Sequence, residues 1–150
     1  MMDETLKAHI EAEARLYERR SAACIEALKL VQRRNGWVDD ENVREIGALL
    51  GMTPDEVDSV ATFYNLVCRR PTGRHIIRIC TSVSCWTLGY ESLIARLGIQ
   101  PGETTADGRF TLLANQCLGA CDHAPVLMID DDLHRDVTPE KLDEILAKYE

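Results

Sequence analysis

The spacing of apolar residues changes near residues 69–73, and that change commits the chain to two differently built halves. Arg69-Arg70-Pro71-Thr72-Gly73 puts a proline, which has no backbone N–H to donate, next but one to a glycine, which is poor at holding helix. Before the break apolar residues recur every three or four positions; after it β-branched runs dominate. A domain boundary is therefore expected here, with residues 1–70 forming a small helical bundle and residues 74–150 a separate mixed unit. The 150 residues leave room for nothing larger.

Within the first half, Leu6, Ile10, Ala14 and Tyr17 share one face of a helix predicted over residues 3–19. Ser21 is placed to cap a second helix that buries Cys24, Leu28 and Val31 and stops at Gly36. Asp39 or Asp40 starts a third through Val43, Ile46 and Leu50, closed by Gly51. Thr53-Pro54-Asp55-Glu56 then combines a capping box with proline at the first helical position. These short amphipathic pieces pack on one another or on a partner, and they carry no catalytic group.

Beyond the break, His75-Ile76-Ile77-Arg78-Ile79 reads as a strand, and Trp86, Tyr90, Leu93 and Leu97 as the buried face of a helix ended by Gly98. Asp107-Gly108 is a hairpin-type turn into the strand Phe110-Thr111-Leu112-Leu113-Ala114. Val126-Leu127-Met128-Ile129 is a further strand, followed by a turn at Asp130-Asp131-Asp132. A last helix starts at Thr138-Pro139 and buries Leu142, Ile145, Leu146 and Tyr149. Strand, helix, strands, helix is the order of a small α/β sandwich, so the class is α/β (α+β).

Six cysteines matter more in this chain than its bulk composition. No apolar stretch approaches the roughly 20 residues that span a bilayer, and the start lacks the basic and apolar regions of an export signal. A cytoplasmic location without membrane insertion follows as an expectation, and there thiols stay mostly reduced. A formal charge of -8 disfavours nucleic acid as a partner. Metal or redox chemistry becomes the leading use of the cysteines.

Cys80 and Cys85 form C-x4-C, and Cys117 and Cys121 form C-x3-C, with 31 residues between the pairs. Each pair begins where a predicted strand ends. If a right-handed crossover makes those strands parallel, both loops emerge at one end of the sheet and four thiolates converge. Four soft anionic sulfurs suit zinc or an iron-sulfur cluster. Zinc knuckles favour the tighter C-x2-C, whereas a two-iron rhomb accepts wider loops, so the spacing favours the cluster while leaving zinc and dithiol chemistry open. No C-x-x-C occurs, which weakens the dithiol reading. Gly119 can turn backbone N–H groups towards sulfur, and Thr81, Ser82 and Ser84 offer hydroxyl donors.

Blocks around these cysteines carry a resemblance almost end to end. They are Glu26-Ala27-Leu28, Gly36-Trp37-Val38, Val60-Ala61-Thr62-Phe63-Tyr64, Gly73-Arg74-His75, Cys80 to Cys85, Pro101-Gly102-Glu103-Thr104-Thr105, Asp107-Gly108-Arg109-Phe110-Thr111-Leu112, Cys117-Leu118-Gly119-Ala120-Cys121 and Ala124-Pro125. In these the chain resembles the family of small [2Fe-2S] subunits of bacterial NADH-quinone oxidoreductase, respiratory complex I. The resemblance implies a thioredoxin-like ferredoxin domain at about 74–150 that holds one [2Fe-2S] cluster on Cys80, Cys85, Cys117 and Cys121. It further implies a helical domain docked on a larger flavoprotein partner, which binds FMN and NADH. The cluster would take one electron from that flavin, so the chain is one subunit of an NADH dehydrogenase rather than a complete enzyme. The complex would sit peripherally on the cytoplasmic face of the inner membrane. Related subunits of NAD-dependent formate dehydrogenases and hydrogenases share the pattern and are the alternative; a zinc-stabilised interaction module is a third reading.

Other reactive residues have plainer readings. Cys24 lies in line with Leu28 and Val31 and is expected to be a buried small hydrophobe; Cys68 is expected to be packed or at an interface. His123 reads as a solvated loop histidine, and Asp130-Asp131-Asp132 as a charged turn rather than a calcium loop. Phe63 and Tyr64 read as core aromatics, with a subunit contact the alternative.

Overall fold

The computed structural model describes residues 2–150 and divides into two units that meet in sequence between Pro71 and Thr72. Each has its own apolar core.

In the first unit the capping signals decide where helices begin. Asp3 accepts the Leu6 N–H at 2.8 Å and starts α1, Glu4–Ala14. α2 runs Cys24–Asn35 and ends at Gly36 in the left-handed region, φ 82°. α3, Asp40–Leu50, is opened by a reciprocal box between Asp39 and Asn42 and closed by Gly51. α4, Pro54–Phe63, has the Thr53–Glu56 box. Ile10, Leu28, Val31, Ile46 and Val57 are fully buried between these helices, each fully buried aliphatic side chain gaining roughly 1.5–3 kcal/mol over exposure. Arg69 ties the end of the unit to its middle: its guanidinium bonds Asp58 at 2.6 Å, Asp40 at 2.7 Å and the Val38 carbonyl.

Three expectations in this half are corrected. α1 stops at Ala14, and Tyr17 is exposed, because Arg20 beyond it bonds both Glu11 and the Leu49 carbonyl at the end of α3 and draws the chain off the helix axis. Ser21 caps nothing: it lies in a 3-10 turn, Arg20–Ala23, and the residue before α2 is Ala23, without a side-chain cap. Phe63 is 79% exposed and Tyr64 is exposed too, so neither is a core aromatic; Phe63 and Tyr64 stack edge to face on each other instead.

The second unit is a four-stranded sheet in the order β2-β1-β3-β4. β1, His75–Cys80, pairs in parallel with β2, Phe110–Asn115, and antiparallel with β3, Leu127–Ile129; β4, Asp132–His134, completes the edge. Between β1 and β2 come α5, Val83–Thr87, and α6, Tyr90–Leu97; α7, Pro139–Leu146, follows the sheet, capped by Thr138. Ile77, Ile79, Leu112, Leu127 and Ile129 pack with Leu93 of α6 and Leu142 and Ile145 of α7 in one core. The turn at Asp107-Gly108 leads back to an antiparallel bridge between Thr104 and Thr111 beside β2.

Here too the details differ from expectation. The helix after β1 is two helices, broken by Gly89 at φ 83°, and Trp86 on the first of them is 60% exposed. Cys85 turns inward on α5, and successive helical side chains point about 100° apart, so its neighbour Trp86 faces out. Strand β4 carried no signal because three residues of mixed polarity show no usable alternation.

Candidate metal centre

Parallel pairing of β1 and β2 settles where the cysteines lie. The register sets Cys80 opposite Asn115, so the loops after both strands leave the same end of the sheet. That end is tied off by the Thr81 N–H donating to the Asn115 carbonyl at 2.8 Å and by the Cys80 N–H donating to the Val126 carbonyl at 3.2 Å. Asn115 itself is buried, and its amide donates to the Cys117 carbonyl at 2.9 Å. Sequence reading passed over Asn115, although a side-chain amide two residues before a turn is a known device for bending the chain.

Cys80 closes β1 and Cys85 sits on α5, both buried; Cys117 and Cys121 lie on the other loop, both exposed. Ala120 and Val126 floor the site, with Tyr90, Leu118 and Ala124 packed against them. The sulfurs of Cys117 and Cys121 stand 3.7 Å apart. Two sulfurs each about 2.3 Å from one tetrahedral metal stand about 3.8 Å apart, so this pair already has the separation of ligands sharing an ion. Cys80 and Cys85 are near enough to influence each other electrostatically, and Cys121 is close enough to interact with both.

Two of the thiols, Cys85 and Cys121, resist ionising by themselves. Burial pushes Cys85 up to about 11; a hydrogen bond from the Val126 backbone pulls the other way, and Cys80 and Cys121 push it further up. Cys121 is raised first by its Cys117 neighbour, with the Ser84 hydroxyl opposing. Crowded thiols of this kind lose their protons when a metal cation takes their place. Donors to sulfur are present as well: the Gly119 N–H reaches Cys117 at 3.3 Å, with Gly119 at φ 77°. Of the hydroxyls singled out in sequence, that of Thr81 donates to the Asn115 carbonyl at 3.3 Å rather than to a sulfur.

Among the described residues no three His, Cys, Asp or Glu side chains gather round a single ion position. Two pairs of soft thiolates, half sunk and half exposed, with backbone and hydroxyl donors around them, fit a two-iron cluster with two cysteines on each iron. His123 bonds Asp136 at 3.0 Å in the loop beside the site. Cys24 and Cys68 are buried in the first unit. Asp130 accepts from His75 and from the Ile76 N–H, which makes it a strand-end anchor rather than a calcium ligand.

Known proteins point the same way. Residues 10–150 match the family model of the thioredoxin-like [2Fe-2S] ferredoxin. The chain is 50% identical to the E subunit of the NADH-quinone oxidoreductase of Pseudomonas aeruginosa, over 99% of this chain and 92% of that one. It is 49% identical to the corresponding NADH-quinone oxidoreductase protein of Escherichia coli K12, over 93% and 87%. Among solved structures, an NAD+-reducing [NiFe]-hydrogenase in its H2-reduced state superposes with a TM-score of 0.67 at 25% identity; the match covers 81% of this chain and only 21% of the hydrogenase chain. With this sheet, these loops and that match across nearly its whole length, the chain belongs to the thioredoxin-like [2Fe-2S] ferredoxin family, and its cofactor is one [2Fe-2S] cluster.

Proposed function

We propose that this chain is the electron-transfer subunit of an NADH-quinone oxidoreductase, with Cys80, Cys85, Cys117 and Cys121 as the cluster ligands. The carrying observation is the convergence of the two cysteine loops at one sheet end, in a chain half identical to small NADH-quinone oxidoreductase subunits over nearly its full length. When bound, the cluster supplies a site that gains and loses one electron at a time. The protein's own residues do the rest. Cys80 and Cys85 anchor the buried side, Cys117 and Cys121 the exposed side, and the Gly119 N–H faces Cys117. The exposed side is the one open to an electron donor.

The donor is FMN in a partner flavoprotein that oxidises NADH, so this chain relays electrons and does not turn over NADH alone. Residues 1–70 dock on that flavoprotein; exposed Leu16, Phe63, Tyr64 and Leu66 support such a contact. No helix among the described residues is long and apolar enough to cross a membrane, and the complex carries this subunit on the cytoplasmic face of the inner membrane. A second reading, the equivalent subunit of an NAD-linked hydrogenase, rests on the superposition with the NAD+-reducing enzyme. It has half the sequence identity behind it.

Anaerobic purification from the native host tests these readings together. Brown protein with two iron and two labile sulfide per chain, an EPR signal on reduction, and co-purifying FMN and quinone-reductase subunits is expected. Colourless protein with one zinc would end the electron-transfer account; co-purifying hydrogenase subunits would select the second reading.

A further inference from the structure

We propose that Asn115 is a positioning residue for the centre: its buried side-chain amide fixes the Cys117 peptide and so sets the direction from which the Cys117 sulfur meets iron. This rests on the cluster assignment above.

Asn115 ends β2 two residues before Cys117 and lies opposite Cys80 in the β1–β2 register. It is 7% exposed. Its main-chain carbonyl accepts the Thr81 N–H at 2.8 Å and the Thr81 hydroxyl at 3.3 Å, which ties down the residue after Cys80. Its side-chain amide donates to the Cys117 carbonyl at 2.9 Å. One residue therefore holds both ligand loops, the first through its backbone and the second through its side chain. Any residue at this position could make the first contact; the second needs a side-chain donor of asparagine's reach.

That second contact bears on a ligand. Cys117 is exposed, and the loop beyond it turns at Gly119, φ 77°, whose N–H comes back to the Cys117 sulfur at 3.3 Å. Asn115 thus holds the Cys117 main chain from one side of the turn while Gly119 meets the sulfur from the other. An exposed ligand is held less by packing than a buried one, so its aim depends on such hydrogen bonds. An apolar group in place of the amide leaves the Cys117 carbonyl without this donor, and a carboxylate sets acceptor against acceptor.

The test compares the full chain with its assembled cluster as wild type, Asn115→Leu, Asn115→Asp and Thr111→Val. Thr111 is the control: it is buried at the other end of the same strand, where its hydroxyl accepts the Gly73 N–H at 2.6 Å, so valine loses a buried hydrogen bond away from the cysteine loops. The readouts are the EPR g values of the reduced cluster, which follow the arrangement of sulfur round iron, and the chelator concentration that bleaches half the visible absorption in a fixed time. In both Asn115 proteins the g values should shift and that concentration should fall about 10- to 100-fold, the range for removing an outer-shell partner of a metal ligand. An Asn115 protein that folds but takes up no iron is the extreme of the same result. Thr111→Val should match wild type in both readouts. Should the Leu protein fail to fold by far-UV circular dichroism, the Asp protein, of asparagine's size, decides. Folded Asn115 proteins with wild-type g values and bleaching, a Thr111→Val protein displaced as far as they are, or failure of both Asn115 proteins to fold would overturn the proposal. Wild-type chain that holds no iron would instead overturn the cluster assignment.

Discussion

Replacing Gly119 by alanine tests whether the loop between Cys117 and Cys121 depends on a left-handed residue. Gly119 has φ 77°, and an added Cβ would meet no heavy atom within 4 Å. The substitution therefore carries no clash, only the intrinsic cost of an L-residue in the left-handed region, about 1–2 kcal/mol. The Gly119 N–H to Cys117 sulfur bond is made by the backbone and survives if the loop keeps its shape. For a unit the size of the second half, each kcal/mol lowers the melting midpoint by about 4–8 °C, so a fall of about 5–15 °C is expected. The readout is bleaching of the cluster's visible absorption on heating, under anaerobic conditions. Gly119→Asn should fall less, because asparagine enters the left-handed region at lower cost. An alanine protein that melts with the wild type, or an asparagine protein that falls as far as alanine, would refute the conformational argument.

Cys117→Ser should lose or weaken the cluster's visible spectrum, while Cys24→Ser, in the other unit, should leave it intact; absorption spectra and iron content of the two proteins decide. Thr53→Ala removes the hydroxyl that accepts the Glu56 N–H at the start of α4 and should cost about 1 kcal/mol in urea denaturation of the helical half. Burial pushes the Cys24 thiol up from 9.0 to about 11. Between those values the unfolded chain has lost this proton and the folded chain keeps it, so stability should fall as pH rises across the window. Cys24→Ala should flatten that dependence in denaturant titrations at pH 8, 9.5 and 10.5.

Elements with two agreeing signals were legible in the sequence. α3 and α4 have both an apolar face and a capping box, and each begins at its expected cap. The β1 and β2 strands have β-branched runs bounded by turns, and the parallel pairing follows the hand of the crossover. Failures came where tertiary contacts overrode a continuous pattern. Nothing local reveals that Arg20 will bond Glu11 and the Leu49 carbonyl and end α1 early. Trp86 continued a helical stripe, yet Gly89 broke the helix and left the indole exposed. At the centre, the cysteines and Gly119 were visible because their residue types are special. Val126 was not, because it acts through its backbone, which any residue could supply.

The parallel register has a consequence for how the centre comes into being. Every residue of β1 pairs with one more than thirty positions later, across the whole α5–α6 crossover. Closing so long a connection is slow compared with forming a hairpin, since chain entropy is lost before any ladder bond is gained. Cys80 and Cys117 meet only after that step. On the proposed ligand set, iron therefore has no four-sulfur site to enter during early synthesis, and nascent chains expose two separate cysteine pairs until the central strands have joined.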